Sequence, residues 1–209
     1  MRLIPSLRLA AALLVFSAIP GLHAQATVGE PPFTPFKDTK LMQAQLPAGQ
    51  KVAILEFEDL ECPACAHAKP IVSQAIEKYK IPYLRHDFLI RGHFWSKDAA
   101  ITARYLQDKV SPDLAEQYRR DVFAAQLSIS SKDDYDAFTR KWFTNHKQQM
   151  PFVMDPSGRF DAEVEADCTM GERIGLIHTP TIIVLTPHGW TEVTDVTKLY
   201  SVIDKAIAK

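Results

Sequence analysis

The alternation of apolar and polar positions predicts a strand, a helix and a second strand in the first half of the chain. The run KVAILEF at residues 51–57 is almost wholly apolar, which is typical of a short strand covered on both faces. Apolar positions then recur with helical spacing over residues 71–79, and Pro70 is expected to kink that helix. The segment YLRHDFLI at residues 83–90 follows as a strand. This order favours a right-handed crossover between parallel strands.

Residues 96–150 have only helical periodicity and are predicted to form a helical insertion. Ser96 and Ser111 are candidate N-caps, and Ser131 followed by Asp134 resembles a capping box. The aromatic residues that follow Ser131 share one helical face, so we interpret them as the core of this insertion.

The last third of the chain returns to a mixed pattern. A helix is predicted at residues 159–173, ending near Gly175. The strand TIIVLT at residues 181–186 then turns into a short partner strand at residues 191–194, and an amphipathic helix begins near Leu199. The complete order predicts an α/β protein whose sheet carries a helical insertion.

The first 24 residues are predicted to be a secretory signal peptide. Two arginines precede an apolar run at residues 9–19, and the small residues Ala24 and Ala26 follow as alternative cleavage sites. This run is shorter than the roughly 20 residues that a spanning helix needs. We therefore expect an exported protein, periplasmic or equivalent, in which residues 25–50 form an N-terminal lead-in.

Charge argues against nucleic acid as a partner. The formal net charge of -1 becomes -3 when the signal segment is removed, because that segment holds two arginines and no acid. Phosphate binding requires clustered Lys and Arg side chains.

The cysteine pattern carries the chemistry. Cys62 and Cys65 are separated by two residues, whereas Cys168 has no partner in the sequence and is interpreted as a small buried residue. A bond between Cys62 and Cys65 would close too small a loop to stabilise the fold, so the pair is interpreted as reactive. Cys62 lies at the junction of strand and helix, where backbone N–H groups and the helix dipole favour a thiolate. Cys62 is therefore the predicted nucleophile, and Cys65 is the predicted resolving thiol.

The segment LEFEDLECPAC, the helix that follows it and the distant His178-Thr179-Pro180-Thr181 before a strand resemble the thioredoxin superfamily. The helical stretch between the second strand and this Thr-Pro pair is most similar to the DsbA-like thiol:disulfide oxidoreductases. The resemblance implies a thioredoxin fold with an inserted helical subdomain. The first part of the fold would then occupy residues 51–95, the insertion residues 96–150 and the second part residues 151–209.

The resemblance also implies roles for three further residues. Pro180 corresponds to the cis-proline of the family beside the disulfide, and the backbone of Thr179 would pair with an extended substrate. Glu56 corresponds to a buried acid that moves protons to and from Cys65. The implied partners are unfolded or partly folded secreted proteins with free thiols, and a membrane redox partner that is DsbB-like or a reductase. No cofactor or metal is expected, and the protein is expected to be a monomer because residues 25–50 are too short for a dimerisation domain.

The direction of electron flow stays open in the sequence. Pro63 and the helical insertion favour an oxidase, whereas Ala64 stands where strong oxidases of the family carry His. Three acids of the same loop are expected to disfavour a thiolate at Cys62. The three acids are Glu58, Asp59 and Glu61. A reductase or isomerase is therefore an alternative, and a copper-binding thioredoxin-like module that uses both cysteines and a histidine is a rival from another class. Zinc is disfavoured because no second ligand pair exists.

Overall fold

The computed structural model describes residues 27–28 and 34–208, and the predicted signal peptide lies outside these ranges. The strands are β1 (Thr27–Val28), β2 (Ala53–Glu58), β3 (Tyr83–Asp87), β4 (Thr181–Thr186) and β5 (Gly189–Val193). The helices are α1 (Thr39–Gln43), α2 (Pro63–Tyr79), α3 (Ser96–Lys109), α4 (Pro112–Ala125), α5 (Lys132–Asn145), α6 (Arg159–Ile174) and α7 (Leu199–Ile207). Within the described residues, no helix is long and apolar enough to cross a membrane.

One mixed sheet organises the fold, with strand order β1-β5-β4-β2-β3. β2 and β3 are parallel, as the predicted crossover requires, while β4 is antiparallel to β2 and β5 is antiparallel to β4. The two-residue β1 adds a parallel edge to β5. The predicted α/β fold is confirmed, and the order places β2, which leads into the cysteines, at an interior position between β3 and β4.

The fifth strand differs from the prediction. It begins at Gly189 and ends at Val193, rather than spanning residues 191–194. Gly189 has a φ of 146°, and it pairs directly with Thr186 across a tight turn. Thr186 donates its side-chain hydroxyl to the Gly189 carbonyl at 3.0 Å, so pairing starts at the turn itself.

Alternation along β2 divides the core. Ile54 packs on one side of the sheet with apolar residues of α2 and α7, whereas Leu55 and Phe57 pack on the other side with residues of α1 and α6. Glu56 and Glu58 have the same parity as Ile54 and are both buried. Two carboxylates therefore enter the core on the α2 side of the sheet.

The helices α3, α4 and α5 form a third core, which also includes both Cys62 and Cys65. Arg119 of α4 is 3% exposed and donates to Glu58 and Asp87 at 2.9 Å each. Arg104 of α3 reaches Asp87 as well, at 2.7 Å. Buried ion pairs of this kind fix one arrangement of the helices against the sheet, because any separation would leave charges unpaired.

The start of α3 differs from the prediction that Ser96 caps it. Ser96 is the first helical residue, preceded by Trp95. The Glu61 carboxylate accepts hydrogen bonds from the backbone N–H groups of Trp95 at 2.7 Å and Ser96 at 3.0 Å. An acid from the loop between β2 and α2, called the active loop below, thus replaces the predicted local cap. It satisfies N–H groups that otherwise lack partners.

Candidate active site

The junction between β2 and α2 places Cys62 at the N-cap of the helix. β2 ends at Glu58, and the Cys62 N–H donates to the Asp59 carbonyl at 3.0 Å, which closes a tight turn. Pro63 occupies the first helical position, where its missing N–H costs no helical hydrogen bond. The Cys62 side chain makes no capping hydrogen bond by geometry, but its sulfur lies close enough to the backbone N–H groups of the first helical turn for them to influence its pKa.

The Cys62 thiol is the acidic member of the pair. A hydrogen bond from Cys65 is the largest influence and lowers the pKa of Cys62 to about 5. Burial opposes this shift, but the Thr179 side chain and the backbone N–H groups of Cys65 and Ala64 add to it. Only 8% of Cys62 is exposed, yet at neutral pH its sulfur is a thiolate.

Cys65 has the opposite character. It is 1% exposed, and burial raises its pKa well above the ordinary cysteine value, with further contributions from Cys62. Its sulfur accepts a hydrogen bond from the Asp59 N–H at 3.5 Å. Both cysteines are free thiols in the structure. The pair therefore combines a reachable thiolate with a buried thiol one turn inside the helix.

The loop before β4 completes the site. The Thr179–Pro180 peptide bond is cis, and the Cys62 sulfur lies 3.3 Å from the Thr179 carbonyl, to which it donates when it is protonated. The Thr179 hydroxyl is buried without a hydrogen-bond partner among the described residues. An ionised Cys62 sulfur is the acceptor that this hydroxyl lacks, which agrees with the effect of Thr179 on the pKa of Cys62. The fold thus joins residues that are 117 positions apart.

Glu56 lies beneath the pair in the core. Burial, followed by the charge of Glu58, raises the pKa of Glu56 to about 7. The Tyr83 hydroxyl donates to the Glu56 carboxylate at 2.6 Å. The charge of Glu56 contributes to the raised pKa of Cys65, although no hydrogen bond joins the two side chains. Glu56 is therefore an acid that titrates near neutrality within electrostatic reach of the buried thiol.

The pKa of Cys62 is lowered despite the three loop acids, and none of these acids is among the main influences on that pKa. Each carboxylate is bound to a donor elsewhere. Glu58 pairs with Arg119, while Asp59 accepts from the Ile90 N–H and lies 2.8 Å from the His93 ring nitrogen. Glu61 caps α3. These partners come from distant segments, so the short sequence around the cysteines carries no signal for them.

A cleft of about 650 Å³ opens beside the pair. It is lined by Ala64 and His67 of α2, the residues His178 to Pro180, and apolar side chains that include Ile182. Three exposed apolar side chains project from segments near the cysteines, and sequence reasoning missed all three. They are Phe94, Leu127 and Ile177. Among the described residues, no group of three or more His, Cys, Asp and Glu is placed to hold a metal ion.

Two of these exposed side chains are tied to the active loop through their neighbours. Phe94 precedes Trp95, whose N–H binds Glu61, and Leu127 follows Gln126, whose amide donates to the Leu60 carbonyl at 2.9 Å. Ile177 lies two residues before the Thr-Pro pair in the chain. The three come from separate parts of the sequence, which is why no local pattern indicated them.

Comparisons with known proteins agree with this geometry. Residues 48–204 match a family model described as Thioredoxin. A variant of alpha-DsbA1 from Wolbachia pipientis has a TM-score of 0.64 at 14% identity, covering 80% of this chain and 98% of that chain. Oxidised BdbD from Bacillus subtilis has a TM-score of 0.64 at 17% identity, covering 88% and 100%. ScsC from Proteus mirabilis, in a transitional conformation, has a TM-score of 0.59 at 12% identity, covering 78% and 70%.

A comparison with curated proteins returned no match. The family model nevertheless covers about three quarters of the chain, and the solved structures share its architecture over most of its length. The resemblance inferred from the CPAC and Thr-Pro motifs is confirmed: this chain belongs to the thioredoxin family and has a DsbA-like fold.

Proposed function

We propose that this protein is an exported thiol:disulfide oxidoreductase that oxidises dithiols of other proteins through Cys62 and Cys65. The observation that carries the proposal is the asymmetry of the pair, in which the pKa of Cys62 is lowered to about 5 and that of Cys65 is raised. A stable thiolate favours the reduced pair over its disulfide, and this makes the disulfide an oxidant. The oxidase direction is therefore preferred over the reductase direction.

The proposed cycle assigns one role to each residue. A substrate thiolate attacks the sulfur of Cys62 in the oxidised pair, and Cys65 leaves and takes up a proton supplied through Glu56. The mixed disulfide lies against Thr179 and Pro180, where an extended substrate pairs with the backbone. A second substrate thiol then attacks the substrate sulfur, and Cys62 leaves as its stable thiolate. A membrane redox partner of the DsbB kind restores the disulfide.

The surroundings of the pair support a substrate that is unfolded or partly folded. Phe94, Leu127 and Ile177 are 78%, 101% and 57% exposed, respectively, and they flank the loops that contact the cysteines. Apolar side chains exposed beside a reactive group suit segments that still expose their own apolar residues. A periplasmic thioredoxin-like protein from Salmonella enterica serovar Typhimurium shares the fold, with a TM-score of 0.58 at 13% identity. This likeness and the predicted leader support a periplasmic location.

The first experiment measures the pKa of Cys62 from thiolate absorbance of the reduced protein. We expect a transition near pH 5 that disappears in Cys62→Ser and persists in Cys168→Ser, the matched control. The oxidised wild type should introduce a disulfide into a reduced, unfolded test protein faster than the reduced form cleaves insulin disulfides. A pKa near neutrality with efficient insulin reduction would instead identify a reductase or isomerase.

A second experiment separates the oxidoreductase from the copper-binding alternative. Reduced protein is titrated with Cu(I) in competition with a chelator, and the oxidised protein is the control. Tight binding without dithiol exchange would favour the metal role, whereas exchange that is lost in Cys62→Ser supports the enzyme. Retained exchange in Cys62→Ser would refute the assignment of the nucleophile.

A further inference from the structure

A buried chain of polar groups leads from the core to the cleft beside Cys62. Glu192 of β5 is 1% exposed and accepts a short hydrogen bond from the Thr34 hydroxyl. It also accepts from the Thr34 N–H at 3.2 Å. The same Thr34 hydroxyl lies 3.2 Å from Nε2 of His178, and that nitrogen is 3.7 Å from the Glu192 carboxylate. Thr34, which is remote in sequence, therefore meets Glu192 and the imidazole of His178.

The hydrogen-bond directions determine which nitrogen of His178 carries the proton. The Thr34 hydroxyl has one hydrogen, and the carboxylate of Glu192 takes it because a carboxylate offers only acceptors. Toward His178 the hydroxyl can then only accept, so Nε2 must be the protonated nitrogen. Nδ1 of the neutral ring is left with its lone pair, and it makes no hydrogen bond to the described residues.

Glu192 is charged, as this arrangement needs. Burial alone would raise the pKa of Glu192, but the hydrogen bonds from His178 and Thr34 hold that pKa below the ordinary value. A buried carboxylate that is fixed through a hydroxyl to an imidazole orients the ring. This is the relation between base and orienting group that activates nucleophiles in many enzymes.

His178 also stands where the substrate thiol of the proposed function would arrive. It is 30% exposed and lines the cleft together with Thr179, whose carbonyl contacts the Cys62 sulfur, and Ala64. The other titratable groups on this cleft are His67 of α2 and Asp195, whose carboxylate is bound to the Thr197 N–H at 2.9 Å. Of these groups, His178 alone contacts the buried carboxylate.

We infer that His178 is a further catalytic residue, which acts as the general base for the substrate thiol, and that Thr34 and Glu192 position it. The inference rests on the proposed function. As the substrate sulfur bonds to the sulfur of Cys62, the proton of the substrate thiol passes to Nδ1 of His178. The Cys62–Cys65 bond breaks at the same time, and the electron pair of that bond stays on Cys65. Nδ1 then releases this proton to solvent and accepts the proton of the second substrate thiol. The sulfur of that thiol attacks the first substrate sulfur and displaces Cys62 from the mixed disulfide. The substrate loses two electrons and the protein disulfide gains them.

The benefit of such a base depends on the thiol. A free cysteine thiol with a pKa of about 8.5 is only about 3% thiolate at pH 7. A base that removes its proton can accelerate attack by up to about 30-fold, the inverse of that fraction. A thiol whose pKa lies about two units below the assay pH is already ionised, so it gains nothing from the base.

The test measures how fast the oxidised full chain oxidises two thiols at pH 7. The alkyl thiol is free cysteine, with a pKa of about 8.5, and the acidic thiol is one whose pKa is about 5. With the alkyl thiol, His178→Gln should lower the rate by tenfold or more and Thr34→Val by a smaller factor, and both should change the rate with the acidic thiol less than twofold. His188→Gln, in the exposed turn between β4 and β5, is the matched control, which should leave both rates unchanged. Thermal unfolding of each variant identifies loss of fold.

Two results would overturn the inference. If His178→Gln lost the same fraction of its rate with both thiols, His178 would only support the local structure. If His178→Gln is unstable, the same comparison is made with Thr34→Val. If His178→Gln oxidised the alkyl thiol at the wild-type rate, His178 would not be the general base. Failure of the proposed function gives a different result, because wild-type protein would then oxidise neither thiol.

Discussion

Replacing Cys65 tests how the acidity of Cys62 arises. The pKa of Cys62 is lowered from its ordinary value to about 5, and the hydrogen bond from Cys65 is the largest cause. A hydrogen bond to a charged group contributes about 1.5–3 kcal/mol. At 1.36 kcal/mol per pKa unit, this corresponds to roughly one to two units. In Cys65→Ala we therefore expect the pKa of Cys62 to rise to between about 6 and 7.

Cys65→Ser is the matched control, because a serine hydroxyl still donates at this position. We expect its Cys62 pKa to stay within about half a unit of the wild-type value. Both pKa values are read from thiolate absorbance of the reduced proteins across the acid range, with the alkylated protein as the blank. If Cys65→Ala still titrates near pH 5, the backbone N–H groups suffice and the reasoning is wrong. A rise in Cys65→Ser equal to that in Cys65→Ala would also refute it.

Three further predictions concern stability. The lowered pKa of Cys62 adds to the stability of the reduced protein as pH rises above about 5, and this contribution is lost as pH falls through 5. In urea unfolding, the free energy of unfolding of the reduced protein should therefore increase by about 3 kcal/mol relative to that of the oxidised protein between pH 4 and pH 7. Equal pH dependence of the two forms would contradict this. Glu56→Gln should add about 3 kcal/mol at pH 8 and slow the protonation of Cys65, because the unfolded wild-type chain releases the Glu56 proton near pH 4.5 whereas the folded protein holds it until about pH 7. If Glu56→Gln were no more stable than wild type at pH 8, Glu56 would ionise in the core without a cost in folding free energy. Arg119→Met should cost about 3 kcal/mol in unfolding free energy, because it removes the cation that buried Glu58 and Asp87 share and leaves them only Arg85 and Arg104, respectively. The exposed Arg120→Met should cost under about 0.5 kcal/mol.

The sequence predicted those parts of the fold that depend on local pattern. The run at residues 51–57 is apolar on both faces because β2 lies inside the sheet, and its periodicity changes where α2 begins. The spacing of Cys62 and Cys65 sets one turn of helix between them, so the sequence predicted which of the two is the nucleophile, whereas the hydrogen bond from Cys65 that contributes most to the acidity of Cys62 became visible only in the structure. The cis geometry at Pro180 followed from the resemblance, since nothing in the local composition distinguishes it from a loop proline.

Contacts across the chain were beyond the sequence because they depend on how distant segments meet. Glu192 reads as a polar residue in a short strand, yet its carboxylate is buried against Thr34, which is 158 positions away. Ser96 has the residue type of a cap, but Glu61 supplies the carboxylate that the start of α3 uses. In each case the residue type was read correctly as polar, and its partner was set by tertiary packing.

The acids around Cys62 show why sequence proximity misjudged the electrostatics of the site. An acid opposes the ionisation of a nearby thiol less when it lies farther away and when a hydrogen-bond donor or cation compensates its charge. Glu58, Asp59 and Glu61 each bind a donor from the segment that follows β3 or from α4, which directs their charge into the fold. The same contacts hold the helical insertion against the active loop. The acids that were expected to weaken the nucleophile therefore position the insertion, and the sulfur at the helix N-terminus is left to the donors of Cys65, Ala64 and Thr179.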